Sequence, residues 1–436
     1  MEETKLDYLE TDPDTDIYKK SRVMYIIEAA LEYFISLLVS GVYLARLTSS
    51  IGIPDHITGI LSSLTTLGCS VQLIAILWAS KARVKRTVIF MHTSNQLLFT
   101  LLYVVPFLDL TTAEKTVVFL VFKLGGALIH NVVQPLKINW FMSMVDDNKR
   151  GKFTANKEII SLAGGIVFTF VMGNLSDLLE SQGRIEDSFI ICGITLFVLT
   201  ALHTYTMIAS REKPVQEKDR LPLGRMLRTL TSDMSFLKIV LVSVIWSIAT
   251  HCYNPFNGTY ALKELGLTMT MTSIVTAIQS TSRALCSRPL GKYADKNTFA
   301  KMLNICFFVE LAAFTLNIFT VPGNGKVFYT AFHVLYAIGL AGINSGGINL
   351  IYERVPKEMR IVALAFKNTL AGLIGFLTTL LASLLVKRIQ ENGNTLFGMD
   401  VYAQQVLSLF SAVGVALLIV YLNTVVKRMN VKKDEK

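Results

Sequence analysis

The chain reads as long apolar runs separated by short polar segments. Twelve such runs lie near residues 22–47, 57–79, 84–108, 116–145, 153–177, 187–209, 236–262, 270–290, 299–320, 326–352, 361–386 and 401–426. Each holds roughly 20 to 29 residues, and at about 1.5 Å per helical residue that is enough to cross about 30 Å of hydrocarbon. The pattern predicts an all-α polytopic membrane protein with twelve transmembrane helices. Alternate connections differ in charge. KARVKR (81–86), DDNKRGK (146–152), the stretch from Arg211 to Arg228, Lys292 to Lys301, ERVPKEMR (353–360) and the tail KRMNVKKDEK are rich in Lys and Arg, whereas the intervening loops are short or acidic. The positive-inside rule then puts both termini in the cytoplasm, with Lys387 and Arg388 as the one exception on the outer side.

The longest polar stretch, from Ser210 to Asp233, falls between the sixth and seventh runs. It divides the chain into a cytoplasmic tail (1–21), a six-helix bundle (22–209), a cytoplasmic linker (210–235), a second six-helix bundle (236–426) and a final tail (427–436). Within the linker, LGRMLRTL predicts a short amphipathic helix at the membrane surface. The two halves echo each other. NWFMSMVDDNKRGKFTANKEIISLAGG (139–165) aligns without a gap on NLIYERVPKEMRIVALAFKNTLAGLIG (349–375), matching Asn139 with Asn349, Val145 with Val355, Arg150 with Arg360, Ala155 with Ala365, Lys157 with Lys367 and Gly165 with Gly375. GVYLARL (41–47) likewise parallels GTYALKEL (258–265). A parallel repeat of six plus six helices is the plan of transporters that rock two bundles around a central site.

Composition sharpens this picture. With 52% hydrophobic and 17% charged residues, the chain carries more apolar surface than a soluble core needs. Its net charge of +10 sits in clusters between apolar runs, so it marks topology and not nucleic-acid binding. The cysteines (Cys69, Cys192, Cys252, Cys286, Cys306) are odd in number and lack CxxC or Cys/His spacing, which argues against a disulfide framework or a metal site. No HExxH, GxSxG or GxxxxGK[ST] motif occurs, which argues against an intramembrane enzyme or direct use of ATP.

The twelve-run plan, GKYADK (291–296) between runs eight and nine, and the paired loops DDNKRGK and VPKEMR together resemble the major facilitator superfamily of secondary transporters over essentially the whole chain. That family carries a Gly-x-x-x-Asp-basic loop between helices two and three, repeated more weakly between eight and nine. Here Gly291, Asp295 and Lys296 fit the second position, whereas the first reads LWASKARVKR, with Lys81 near the place of the Asp. The resemblance implies alternating access. Asp295 would then pair with a basic neighbour or cap a helix in one bundle arrangement only, unless it is an ordinary turn residue.

Charges inside a span are costly, so each invites a role. Glu28 and Glu32, one turn apart on a single face of the first span, suit a proton or cation coupling site, or else a pair neutralised by Lys157 or another base for assembly only. The fourth span carries Lys123, His130, Asn131, Gln134 and Lys137. His130, Gln134 and Lys137 share a face and read as a polar stripe along a cavity, with His130 a further coupling candidate. In the seventh span HCYNPFNG (251–258) must interrupt the helix at Pro255 and Gly258, offering His251, Asn254 and Asn257 to a solute or forming a kink without contact. Arg283, Glu310 and His333 complete the buried set: Arg283 is a counter-ion for an anionic solute, or pairs with Glu310, or reaches the cytoplasm. Arg150, Lys157, Arg360 and Lys367, at equivalent repeat positions, are candidates for an inner gate. GLAGINSGGINL (339–350) supplies small residues that let helices approach.

The first expectation is a monomeric secondary active transporter for a small polar, anionic or sugar-like solute, coupled to a proton or cation gradient and requiring no cofactor. The alternatives are an efflux pump for amphipathic drugs or lipid-like molecules, and a sensor or scaffold that does not transport. Short loops point to a bacterial cytoplasmic membrane.

Overall fold

A computed structural model describes residues 17–73, 84–145, 150–212 and 223–426. The 81–83 part of KARVKR with Lys81, the 146–149 part of DDNKRGK, the centre of the linker and both extreme tails lie outside the described residues, and of Arg150 only the backbone is described. The described chain is helical apart from a two-residue hairpin, β1 (Thr395–Leu396) with β2 (Met399–Asp400). The helices of the first half are α1 (Lys19–Leu38), α2 (Gly41–Ile51), α3 (Asp55–Gly68), α4 (Val84–Leu101), α5 (Thr112–Met142), α6 (Arg150–Ser181) and α7 (Ile185–Ala209). After α8 (Leu223–Ser232) the second half contains α9 (Met234–Tyr253), α10 (Met269–Lys296), α11 (Phe299–Asn317), α12 (Gly325–Tyr352), α13 (Arg360–Glu391) and α14 (Ala403–Tyr421).

Nine helical segments among the described residues are long and apolar enough to cross a membrane. Of the other three predicted runs, the second loses its far end to undescribed residues, while the third and eighth form α4 and α10 but carry more polar side chains, such as His92, Asn95 and Gln96 or the Ser and Thr of TSRALCSRP. The first run is not one helix, as its apolar pattern suggested. Val39 and Ser40 leave the helix, Gly41 restarts the chain at φ +53°, and α2 continues to Ile51, where Gly52 at φ +82° closes it. Both glycines take left-handed backbone that a side chain would disfavour. Hydrocarbon supplies no water to a broken helix, so the carbonyls freed at the break need protein donors. Tyr103 donates its hydroxyl to Leu38 O at 2.6 Å and Lys123 donates to Val39 O at 2.6 Å.

The seventh run is interrupted where Pro255 requires it. A 3-10 turn over Asn254–Phe256, one helical turn over Asn257–Thr259 and a π-turn over Tyr260–Glu264 follow α9. The amphipathic linker helix forms as α8, with Met226 and Leu230 buried and Arg225 and Arg228 exposed.

Each half has its own core: Leu38, Leu44, Leu61, Phe119 and Leu196 in the first, and Phe236, Tyr253, Phe307, Phe314 and Val415 in the second. Small residues set the close approaches, as the glycine-rich run of α12 predicted. A Cβ on Gly342 would lie 2.4 Å from Cys306 Sγ and one on Gly346 2.8 Å from Leu303. Between halves the same device recurs. A Cβ on Gly258 would lie 2.5 Å from Gly41 O, one on Gly59 2.0 Å from the Phe256 ring, and one on Gly372 2.6 Å from Thr66 O. The echoing segments GVYLARL and GTYALKEL therefore cross one another, glycine to glycine. Asp177 ties the halves further by accepting the Met269 and Thr270 N–H groups at 2.9 and 2.7 Å, the free donors at the start of α10.

The crossing yields a test. Gly258→Ala presses a methyl on backbone that cannot rotate away, so a loss of about 1–3 kcal/mol is expected in thermal unfolding of the detergent-solubilised protein. Gly347→Ala, which meets open space, is expected to melt as the unaltered chain does.

Candidate functional site

Glu28 and Glu32 stand one turn apart on α1, and α4, α5 and α7 bring basic and polar groups onto that face. Lys137 of α5 donates to Glu28 Oε1 at 2.7 Å and to Glu32 Oε2 at 2.5 Å. His203 of α7 places Nε2 at 2.7 Å from Glu28 Oε1. Around Glu32 Oε1, Gln134 Nε2 lies at 3.3 Å, His130 Nδ1 at 3.7 Å and His92 Nε2 at 3.9 Å. The imidazoles form a chain, with ring centroids 5.4 Å apart for His203 and His92 and 5.9 Å for His92 and His130. The side chains of Glu28, His92 and His203 are wholly inaccessible, whereas His130 and Glu32 are 27% and 19% exposed. The cluster therefore has an open end at Glu32 and His130 and a closed end at Glu28 and His203.

Its charges do not cancel by themselves. Two carboxylates face one ammonium, so with both carboxylates ionised and the imidazoles neutral one negative charge is left in a low-dielectric setting, where an unbalanced charge is costly. Three imidazoles and Glu32 itself lie within reach to hold one further proton. Glu32, His92 and His130 also bring one ligand atom each within 4.8 Å of one another, a spacing that a metal ion could bridge. The Lys137 ammonium on the same carboxylate opposes a divalent ion there, so the arrangement suits a proton better.

Two cavities lie where the halves meet. The larger, about 410 Å³, is walled by Trp246, His251, Phe307, Asn344 and Lys367 of the second half and by Thr66 and Cys69 of the first. His251 reaches across to Thr66 Oγ1 at 2.9 Å. The smaller, about 190 Å³, lies at the crossing of the two interrupted helices and is walled by Ser40 to Tyr43, Asn254, Asn257, Gln279, Tyr329 and His333. Among the described residues neither lining contains an Asp or Glu.

On the face away from the chain's N-terminus a polar lock joins the halves. Lys263 pairs with Asp55, Gln390 donates to Asp55 Oδ2 at 2.9 Å and to Glu264 Oε1 at 3.4 Å, and Asn394 donates to Glu264 Oε2 at 3.3 Å. Asp55 belongs to the first half and its partners to the second, so the lock breaks if the halves part on this side.

Several predicted residues find other places. Lys137, not Lys157, is the base that bonds both glutamates, its ammonium lying within reach of each carboxylate; Lys157 instead lies over the Tyr25 ring at 5.0 Å. Arg283 pairs with Glu158 of the opposite half at 3.3 Å and not with Glu310. Glu310 is fully buried against Gly339, and among the described residues it has no hydrogen-bond partner and lies on neither cavity wall. Lys123 serves the break in the first span, and Asn131 bonds Gln72 and Thr65 O between α5 and the second span. Lys367 lines the larger cavity; among the described residues neither it nor Lys157 pairs with a carboxylate, so the symmetric salt-bridge gate does not form in this arrangement. Arg360 donates to Tyr352 O at 2.8 Å and to Val355 O, holding the turn after α12. Gly291, Asp295 and Lys296 lie at the end of α10, where Asp295 is exposed and makes no ion pair among the described residues. The stripe of His130, Gln134 and Lys137 does converge on one target, Glu32. His92, His203, Asp55, Lys263, Glu264, Gln390 and Asp177 were not foreseen. Each is a single polar residue at a span whose partner comes from another helix; His92 and His203 could have been found by asking a reason for every ionisable group within a span.

The family model described as Major Facilitator Superfamily matches residues 25–379 and 239–435, and the chain belongs to that superfamily. No curated protein matches the sequence. Among solved structures, the nucleoside transporter NupG is similar with a TM-score of 0.69 at 14% identity, covering 92% of this chain and 98% of that one. A D-xylose-proton symporter gives 0.67 at 13% identity, covering 92% and 96%, and an auto-inhibited POT family peptide transporter gives 0.71 at 12%, covering 95% and 98%. The fold is that of a multi-pass membrane transporter.

The charge cluster makes a stability prediction. Lys137→Met leaves two buried carboxylates facing each other and is expected to cost about 3–5 kcal/mol in thermal unfolding. The triple change Glu28→Gln, Glu32→Gln, Lys137→Met removes the imbalance and is expected to recover most of that loss.

Proposed function

We propose that this chain is a secondary active transporter that moves a small polar solute by alternating access and couples the movement to protons at the Glu28, Glu32 and Lys137 cluster. The observation that carries the reading is the placing of two carboxylates on one ammonium, with an exposed end at Glu32 and His130 and an imidazole chain behind. A proton seated there cancels the charge, and its departure frees Lys137 and the carboxylates to rearrange, which gives the bundle two states of different electrostatic cost. Transport by NupG, the xylose symporter and the peptide transporter is in keeping with a solute path between the two halves.

In this proposal twelve spans cross the membrane with both termini in the cytoplasm, so the Asp55 lock closes the outer side and the structure represents the inward-facing arrangement. A monomer in a bacterial cytoplasmic membrane is the working form. Among the described residues both cavity linings lack Asp and Glu and hold Lys367 and two histidines, which favours neutral or anionic solutes over the cationic drugs of an efflux pump. Lys263→Ala, by removing the partner of Asp55, is expected to raise labelling of a single outer-face cysteine severalfold.

The coupling is tested in proteoliposomes with a solute found by counterflow. Accumulation is expected to follow an imposed pH gradient, and Glu32→Gln is expected to abolish that accumulation while leaving exchange of solute for solute intact. Accumulation that ignores the pH gradient and follows sodium would replace the proton with sodium as the coupling ion. Loss of exchange and accumulation together would make Glu32 a solute ligand or a folding residue.

A further inference from the structure

The larger cavity holds a charge that neither the coupling cluster nor the polar lock uses. Lys367 of α13 stands on its wall, and its ammonium makes no hydrogen bond or ion pair among the described residues. Unlike the unpartnered polar atoms of Glu310 and His333, that ammonium is not sealed inside the protein. The titratable side chain that acts on it is the Cys69 thiol, which shares the wall; no carboxylate of the described residues does so. The next two residues pin this part of α13 to the first half: Asn368 donates to Gln72 Oε1 at 3.0 Å and Thr369 donates to Cys69 O at 3.1 Å. Lys367 is thus held at the cavity without a partner, and an unpaired cation inside a span is costly until an anion reaches it.

A second, independent observation is the shape and polarity of the rest of the wall. Trp246 of α9 and Phe307 of α11 stand on it with ring centroids 5.6 Å apart and planes inclined at 46°. Two rings so inclined make a corner in which a third ring can lie face to one and edge to the other. Val242, Leu303, Ile343 and Ile348 extend the apolar surface. His251 has no valence to spare: Nδ1 donates to Ser247 O at 2.9 Å, so Nε2 accepts from the Thr66 hydroxyl at 2.9 Å. A sugar seated here would leave several hydroxyls against side chains that cannot bond them, whereas a flat apolar ring would not.

Resting on the transporter reading above, we infer that the larger cavity seats an aromatic monocarboxylate, its carboxylate on the Lys367 ammonium and its ring in the corner of Trp246 and Phe307. One ammonium, with no Arg on the wall among the described residues, matches a single negative charge better than the double charge of a phosphate ester. The volume of about 410 Å³ falls within the range of about 300–1,000 Å³ usual for small-molecule sites. Thr66 and Cys69 complete the wall from the first half, so a seated acid touches both bundles.

The test is calorimetric titration of the full chain in detergent at neutral pH with benzoate and indole-3-carboxylate. Benzamide and indole-3-carboxamide serve as uncharged counterparts, hexanoate as an anion without a ring and phenyl phosphate as the more highly charged ring compound. At least one ring acid is expected to bind more tightly than its amide, hexanoate and phenyl phosphate. Lys367→Met is expected to weaken that acid roughly tenfold, equivalent to about 1.4 kcal/mol, and to melt no lower than the unaltered chain, because it removes a charge that has no partner. Trp246→Leu, which keeps the ammonium and takes away a ring wall, is expected to reduce the preference for the ring acid over hexanoate. No binding of either ring acid, equal binding of acid and amide, hexanoate or phenyl phosphate as tight as the ring acids, or a folded Lys367→Met with undiminished affinity would each overturn the assignment. So would an unchanged preference in Trp246→Leu, or a Lys367→Met that melts lower, which would give the ammonium a structural partner. The two readings fail separately: binding of a ring acid without counterflow in proteoliposomes removes transport and keeps the seat, whereas counterflow of another solute without such binding removes the seat and keeps transport.

Discussion

Hydrocarbon gives a broken helix nothing to bond with, and this chain breaks two helices where they meet. The crossing of Gly41 and Gly258 is possible because neither position has a side chain, and the backbone contact brings the ends of the two halves together. Everything nearby follows from satisfying that crossing. Tyr103 and Lys123 take the carbonyls at the end of α1, Phe256 fills the space over Gly59, and Asp177 caps α10 from the other half. The start of α2 has no side-chain cap and lies, with Leu37 and Ser40, on the wall of the smaller cavity.

Charge is distributed with a similar logic. The first half gathers two carboxylates, one ammonium and three imidazoles, with most of their surface hidden. The second half contributes the aromatic and amide walls of both cavities and very few charges. The charge cluster and the smaller cavity are separated in space but share α1, which bears Glu28 and Glu32 and ends at the break. A shift of α1 driven at one site is felt at the other through a single rigid element, which is the kind of physical link that coupling requires.

The glycine contacts and the polar lock act at the same side of the interface but differ in kind. Glycine packing is strong only while the helices touch, and loses its dispersion energy over a short separation. The Asp55 network of charged and amide groups keeps part of its attraction as the halves part, and water replaces its bonds once they are open. Such an interface has two defined states in preference to a continuum.

How much of this was legible beforehand follows from the range of each interaction. Apolar runs, charge bias between them and the internal repeat are properties of consecutive residues, and they gave the polytopic helical class, the superfamily and the break at Pro255. The i, i+4 spacing of Glu28 and Glu32, and of His130 and Gln134, fixed which groups share a helix face, because backbone geometry alone sets that. Which helix lies opposite a given face is decided only when the spans pack. Lys137 in place of Lys157, the recruitment of His92 and His203, Arg283 meeting Glu158 in place of Glu310, and the Asp55 lock all depend on residues far apart in the chain, on different helices. The break in the first span was hidden for a related reason: Ser40 and Gly41 interrupt an apolar run without proline, and they leave the helix because Tyr103, Lys123 and Gly258 arrive from other spans to receive the freed backbone.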